Sequence, residues 1–332
     1  MRNATMAGGV KPKFAIQSGL QQLLAFGSLI LLIVFFSIAS SNFFVFSNLV
    51  GILLSTAVIG VLALGSTFVI VTGGIDLSVG TVMTLCSVMT GVFITMWGLP
   101  VWVGILGGLL TGAVCGMMSG LVIARLGIPP FIATLAMMMI AKGLALVISG
   151  TKPVYFTETP VFMKISQGSL LGAIIPGFDI PNAVLIFFLA AIIGSLLLSR
   201  TIVGRYNFAI GSNEEATRLS GVNVRNWKIA IYTITGLFTG IAGILMASRL
   251  NSAQPSLGMG YELEAIAAVV IGGTSLSGGK GTIIGTVIGA LIMSVLTNGL
   301  RILSVPQEWQ TVVVGFVILL AVYADNLRRR KA

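Results

Sequence analysis

Histidine is absent from this chain of 332 residues, and cysteine occurs only twice. The first absence removes imidazole as a metal ligand, proton shuttle or catalytic base. The two cysteines, Cys86 and Cys115, both fall in apolar runs. They read as small core residues and exclude a disulfide framework. Charge is equally scarce: Asp, Glu, Lys and Arg make up 8% of the chain, against about 25% in a soluble domain. No nucleophile–base pair, acid pair or metal-ligand cluster stands out, which argues against a membrane enzyme.

Apolar residues fill the space that charge leaves. The chain is 56% hydrophobic and its mean hydropathy is +1.06. The apolar runs are long enough to cross a ~30 Å hydrocarbon layer, which takes about 20 helical residues each. A transmembrane β-barrel would show short alternating segments instead. The expected fold is therefore an all-α polytopic membrane protein with about ten spans, near 22–40, 48–72, 77–96, 101–124, 131–149, 183–199, 228–249, 262–273, 282–301 and 309–326. The run from Leu23 to Ala39 exceeds the ~7–15 residues of a signal-peptide core, so it reads as an uncleaved first span.

The net charge of +10 does not indicate nucleic-acid binding, because no basic patch is interleaved with aromatics. Lys and Arg sit in tails and a few loops, as membrane orientation places them. Most of the 19 fall on one side if the N-terminus is inside, among them Arg2, Lys11, Arg125, Arg200, Arg218, Lys280 and the run Arg328 to Lys331. Lys152, Lys164, Arg249 and Arg301 then lie outside, and Lys142 lies within the fifth span. On this reading residues 1–21 are a cytoplasmic tail, 22–327 the membrane domain and 328–332 a basic cytoplasmic tail. Segments 150–182 and 200–227 are the long outside and inside loops. The outside loop holds Pro153, Pro160, Pro176 and Pro181, has room for a short interfacial helix, and is long enough to carry a docking surface.

Glycine marks the helix faces. Gly104, Gly108, Gly112, Gly116 and Gly120 recur every four residues, and so do Gly281, Gly285 and Gly289. Gly236 and Gly240 repeat the spacing once. Spacing four keeps them on one stripe, where another backbone approaches closely. Such stripes serve static packing, or let helices slide during transport.

Two Gly-broken segments interrupt the apolar pattern. The first is Gly73-Gly74-Ile75-Asp76-Leu77-Ser78-Val79-Gly80; the second begins at Gly272, Gly273, Thr274 and Ser275, and matches the first 199 residues later. Paired broken segments point to a transport pathway, so Gly73, Gly74, Asp76, Ser78, Gly272, Gly273, Thr274 and Ser275 are its candidates. An Asp at membrane depth is costly, about 2.5–3.5 kcal/mol on insertion scales. Asp76 therefore reads either as a helix cap or as a pathway group, including the carboxylate of an ion-coupled secondary transporter. Span counting leaves a parallel and an inverted relation between the two segments open. Gly278-Gly279-Lys280-Gly281-Thr282 resembles a phosphate loop only superficially. Thr274 replaces the first Gly of that motif, and Gly281 the Ser or Thr that should follow Lys280.

A polar island lies between two apolar segments, from Arg205 to Val224. Ser212 and Glu215 have capping-box spacing. Glu214 and Glu215 fall in a first turn that favours negative charge, and Gly221 suits the position after a helix end. Residues 213–220 are thus expected to form a short helix, with Ala216 and Leu219 on one face and basic residues on its flanks. Its apolar face is too small to hold lipid; it is shaped to be gripped by a protein. Glu262 and Glu264 open the eighth span and read as dipole-favoured capping residues, in preference to the alternative of a contact with a solute or an external partner.

Three stretches taken together carry a resemblance: GGIDLSVG, GRYNFAIGSNEEATRLSGVNV and NSAQPSLGMGYELEAIAAVVIGGTSLSGGKGTIIGTVIGALI. The chain resembles the permease subunits of bacterial ABC importers for monosaccharides, the branch with ribose, xylose, arabinose, galactose and fructose permeases, and within it the ribose permeases most. The resemblance implies an inner-membrane protein that pairs with a second permease copy in the surrounding lipid. It also implies a cytoplasmic ATP-binding subunit, which carries the ATP and Mg, and a periplasmic sugar-binding protein. No cofactor or metal and no catalytic residue is then expected on this chain. Gly211, Ser212, Asn213, Glu214, Glu215, Ala216, Arg218, Leu219 and Gly221 match the loop that couples such permeases to their ATPase.

Overall fold

The computed structural model describes residues 13–175, 177 and 179–330. Expectations for Arg2, Lys11, Pro176 and Lys331 lie outside them. The helices are α1 (Lys13–Ala39), α2 (Phe46–Val71), α3 (Val79–Gly91), α4 (Val101–Leu126), α5 (Pro130–Ile148), α6 (Pro160–Gln167) and α7 (Leu170–Ile174). They continue as α8 (Asn182–Arg200), α9 (Ile202–Ser212), α10 (Glu214–Leu219), α11 (Val224–Leu250), α12 (Tyr261–Ile271), α13 (Ile283–Ile302) and α14 (Gln307–Arg330). A π-helical turn, Val92–Met96, prolongs α3. Residues 13–21, expected in a tail, are already part of α1.

Among the described residues, eight helices are long and apolar enough to cross a membrane: α1, α2, α3 with its π turn, α4, α5, α8, α11 and α13. The tenth expected span falls in α14, whose apolar part is Gln307–Tyr323. The eighth is shorter than a bilayer. With 11 residues, α12 is about 16 Å long, half the hydrocarbon thickness. The chain before it, from Asn251 to Gly260, is not helical, because Asn251 (φ 51), Gly258 and Gly260 (both φ 97) take left-handed backbone that a helix does not continue.

The inner layer is α2, α3, α11 and α13, and the outer one α1, α4, α5 and α8. Outer helices present large apolar side chains outward, such as Phe35, Leu110 and Leu189, as contact with lipid requires. Lipid tails are as apolar as leucine, so association rests on close packing and interhelical hydrogen bonds. The glycine ladder of α4 shows the first. A Cβ on Gly112 would fall on the Gly236 carbonyl, one on Gly236 would fall on the Gly112 carbonyl, and one on Gly120 would sit 2.8 Å from the Ile229 Cα. Gly104 and Gly108 instead receive Ile94 and Thr90. The ladder is a seat for two elements, α11 below and the end of α3 above. Hydrogen bonds supply the second: Thr67 to Thr286 (2.7 Å) joins α2 to α13, and Ser87 to the Gly243 carbonyl (2.7 Å) joins α3 to α11. Each contributes about 0.6 kcal/mol, and at most about 1.7.

The two broken segments share one end of the bundle. Gly73 and Gly273 have φ of 80° and 93°. The Gly74 N–H donates to the Val69 carbonyl and the Thr274 N–H to that of Val269, both at 3.2 Å. Each is a Schellman helix end. The structural repeat therefore runs Gly73 to Gly273, a spacing of 200, and corrects the sequence match at 199. The match slipped by one because it aligned glycine letters, whereas geometry aligns the left-handed residue. Both helices run into the same end, so the relation is parallel there. The long loop packs on part of the opposite end, through α6 against α8 and α11. It holds α6, α7 and a strand, Val154–Tyr155, that pairs antiparallel with Ser252–Ala253, a pairing the sequence did not reveal.

Replacing Gly112 by Ala should lower the thermal midpoint of the detergent-purified protein, by about 1–3 kcal/mol of overpacking. Replacing Gly143, whose Cβ would meet nothing within 4 Å, should leave the midpoint unchanged or raise it by up to about 1 kcal/mol. Scanning fluorimetry compares the two, and equal midpoints would refute a backbone-tight α4–α11 seam.

Candidate functional site

The polar island folds as two helices, α9 and α10, before α11 begins. The capping box is corrected: Ser212 is the last residue of α9, and Asn213 is the N-cap of α10. Asn213 is extended (φ −161, ψ 102), which ends one helix and starts the next. Its Oδ1 accepts from the Ala216 N–H at 2.9 Å. Glu215, freed from capping, pairs with Arg218 at 2.6 Å, and Glu214 pairs with Lys228 of α11 at 2.7 Å. Gly221 follows the helix in left-handed backbone (φ 85), as its position predicts. Thr217 faces inward, while Ala216 and Leu219 face out, Leu219 with 78% of its surface exposed. A groove of about 310 Å³ separates this helix from the α4–α5 turn, lined by Pro129, Arg218, Arg225 and Lys228 among others.

The base of the island touches both Gly-broken loops. The Val71 carbonyl, at the end of α2, accepts from the Gly279 N–H at 2.9 Å. Gly211 lies against the same carbonyl so closely that a Cβ would fall on it. A Cβ on Gly278 would lie 2.8 Å from the Gly73 nitrogen and 2.9 Å from the Gly211 oxygen, and one on Gly279 would lie 2.8 Å from the Ser212 Oγ. Residues singled out as pathway (Gly73) and as coupling loop (Gly211, Ser212) thus form one junction of bare backbone.

Ser275 belongs to the same loop as Gly278 and Gly279, where its N–H donates to the Lys280 carbonyl at 3.1 Å and its carbonyl accepts from the Gly278 N–H at 3.0 Å. Asp76 is buried, and its Oδ1 accepts from the Ser78 N–H at 2.8 Å and the Ser78 Oγ at 2.6 Å. Ser78, not Asp76, is the N-cap residue of α3. Gly74 faces the Tyr232 hydroxyl, and Gly272 the Gly285 carbonyl. Thr274 and Ser275 are buried. Glu262, also buried, accepts the Gly260 N–H at 3.0 and 3.1 Å, the capping role expected of it.

A cavity of about 460 Å³ opens among α2, α11, α12, α13 and α14, at the end opposite the island. Arg249 and Arg301, in the last turns of α11 and α13, and Glu264, in the first turn of α12, line it. Tyr261, Asn298 and Gln310 are in its wall, and the Arg249 Nη2 donates to the Ser55 Oγ at 3.1 Å. None of the eight pathway candidates lines it.

The family model described as branched-chain amino acid transport system / permease component matches residues 48–322, from α2 into α14. The chain is 42% identical over 307 residues to the ribose import permease protein RbsC of Escherichia coli K12, covering 91% of this chain and 92% of that one. The chain belongs to this family of ABC importer permeases. RbsC of Bacillus subtilis is 44% identical over 308 residues, with 92% and 93% covered. The fructose import permease protein FrcC of Rhizobium meliloti is 36% identical over 306 residues, with 91% and 84% covered. The resemblance carried by the three motifs is borne out.

In this permease, reading from sequence located the island but missed the cavity. Arg249 and Arg301 passed as loop charges, and Glu264 as a capping residue. A signal was there: on the orientation expected from the sequence these span ends face outside, where positive charges are depleted, so the two arginines stand against the trend. Replacing Gly211 by Ala drives a Cβ into the Val71 carbonyl and should loosen the junction. Trypsin should then cut the detergent-purified permease between Arg205 and Lys228 about tenfold faster, since local opening governs such cleavage. Unchanged cleavage would show that the junction does not hold the island.

Proposed function

We propose that the chain is the inner-membrane permease subunit of an ATP-driven importer for a monosaccharide, a ribose-like pentose or a related simple sugar or polyol. The observation that carries this reading is the end-to-end similarity to ribose and fructose import permeases. The N- and C-termini and the island are cytoplasmic, and the cavity opens toward the periplasm. The assembly contains a second permease copy, a cytoplasmic ATP-binding subunit with its ATP and Mg, and a periplasmic sugar-binding protein. Hydrolysis belongs to the ATP-binding subunit.

Helix α10 docks on that subunit. It supports this role by standing proud of the bundle, with Leu219 outward and both its glutamates held by basic partners. Its base rests on the Val71–Gly279 junction, so a push on α10 reaches the ends of α2 and α12 through contacts with no flexible side chain in between. Asp76, satisfied by Ser78 within its own turn, serves as a local structural group in this scheme.

Proteoliposomes holding the permease, its ATP-binding subunit and its binding protein should accumulate labelled D-ribose, D-xylose or D-fructose only with ATP inside. Flux driven by a proton or sodium gradient without those partners would instead favour an ion-coupled transporter using Asp76. With the sugar identified, the double substitution Glu214→Lys and Glu215→Lys should lower uptake by about tenfold, ~1.4 kcal/mol of lost docking. The amount of permease in the membrane should not change. Uptake at the unsubstituted rate would sink the coupling assignment.

A further inference from the structure

The polar cavity opposite the island is not used by the coupling scheme. We propose that it is a solute-binding station for a neutral polyhydroxylated molecule of monosaccharide size; this rests on the sugar-importer reading and adds the residues that hold the solute. Its volume of about 460 Å³ lies within the ~300–1,000 Å³ of small-molecule sites. A sugar hydroxyl both donates and accepts, so a site for several hydroxyls needs mixed donors and acceptors. Arg249 and Arg301 supply donors, Glu264 supplies acceptors, and Asn298 and Gln310 supply both.

The two amides are fixed in the wall: the Asn298 Nδ2 donates to the Asn48 Oδ1 at 3.0 Å, and the Gln310 Nε2 donates to the Val305 carbonyl at 2.8 Å. Val58, Ile59 and Ile318 add an apolar side suited to the C–H face of a sugar ring. The charge pattern selects against cations. Two guanidinium groups repel a metal or organic cation, and the Glu264 carboxylate offsets part of their pull on an anion.

The site is also placed for control. Tyr261 and Glu264 stand at the start of α12, and its far end leads into the loop whose Gly279 bonds Val71 beside Gly211. One rigid helix of about 16 Å thus joins the cavity wall to the junction under the island.

The test uses thiol modification after folding, in the complete transporter. Native Cys86 and Cys115 are buried, so background reaction with a membrane-impermeant anionic methanethiosulfonate is low. Asn298→Cys and, on another wall, Thr311→Cys are treated from the binding-protein side, with Lys152→Cys of the exposed loop as control. Uptake of whichever of D-ribose, D-xylose and D-fructose the unsubstituted transporter carries is then measured. Modification of either cavity cysteine should reduce uptake about tenfold or more, as misplacement within a binding site does. Modified Lys152→Cys should transport normally. Full uptake through both modified cavity variants would overturn this proposal alone. An unsubstituted transporter that carries none of the three sugars would overturn the sugar reading and this proposal with it. Uptake of D-gluconate faster than of any neutral sugar would overturn the assignment of a neutral solute.

Discussion

The carbonyl of Val71 is where three distant stretches of chain converge. It ends α2, accepts the N–H of Gly279 and has Gly211 pressed against it. No side chain fits between them, and this is why each stretch brings glycine to the point. The arrangement ties a water-facing helix to the ends of two buried ones. Backbone contact has little compliance, so displacement at one partner is passed on rather than absorbed by rotamer changes.

The same device builds the bundle. Within a membrane the hydrophobic effect does not drive helices together, and this chain meets the problem with bare backbone faces. Gly112 and Gly236 meet carbonyl to α-carbon, and Gly272 and Gly285 do the same between α12 and α13. Buried hydroxyls then add fixed points, as where Thr235 bonds the Gly65 carbonyl at 3.0 Å. Large apolar side chains are left for the outward faces, where lipid surrounds them.

Helix α12 departs from this plan by starting half-way. Its start meets the start of α3, where Gly258 and Gly80 lie against each other's carbonyls. Non-helical backbone at such depth is tolerated only where protein buries it or it lines a cavity. Both conditions hold: Glu262 turns back onto the Gly260 N–H, and Tyr261 and Glu264 face the polar cavity. The break that makes α12 short is what places polar groups at the cavity wall.

Local signals carried much of this in the sequence. Apolar run length placed the spans, because lipid demands about 20 helical residues whatever the neighbours are. Gly73, Gly221 and Gly273 marked helix ends, because left-handed backbone is a property of the residue itself. The island and its short helix followed from polarity and spacing. The cap was misassigned from Asn213 to Ser212, because either residue has the chemistry and only the end of α9 decides between them. What tertiary structure alone decided was proximity. Nothing near Gly211, Val71 or Gly279 in the chain says that they touch, and nothing around Arg249, Glu264 and Arg301 says that they share a cavity. Sequence determined which segments enter the membrane and where each one breaks, since those depend on single residues and the solvent. Which broken ends meet depends on how all the helices pack at once.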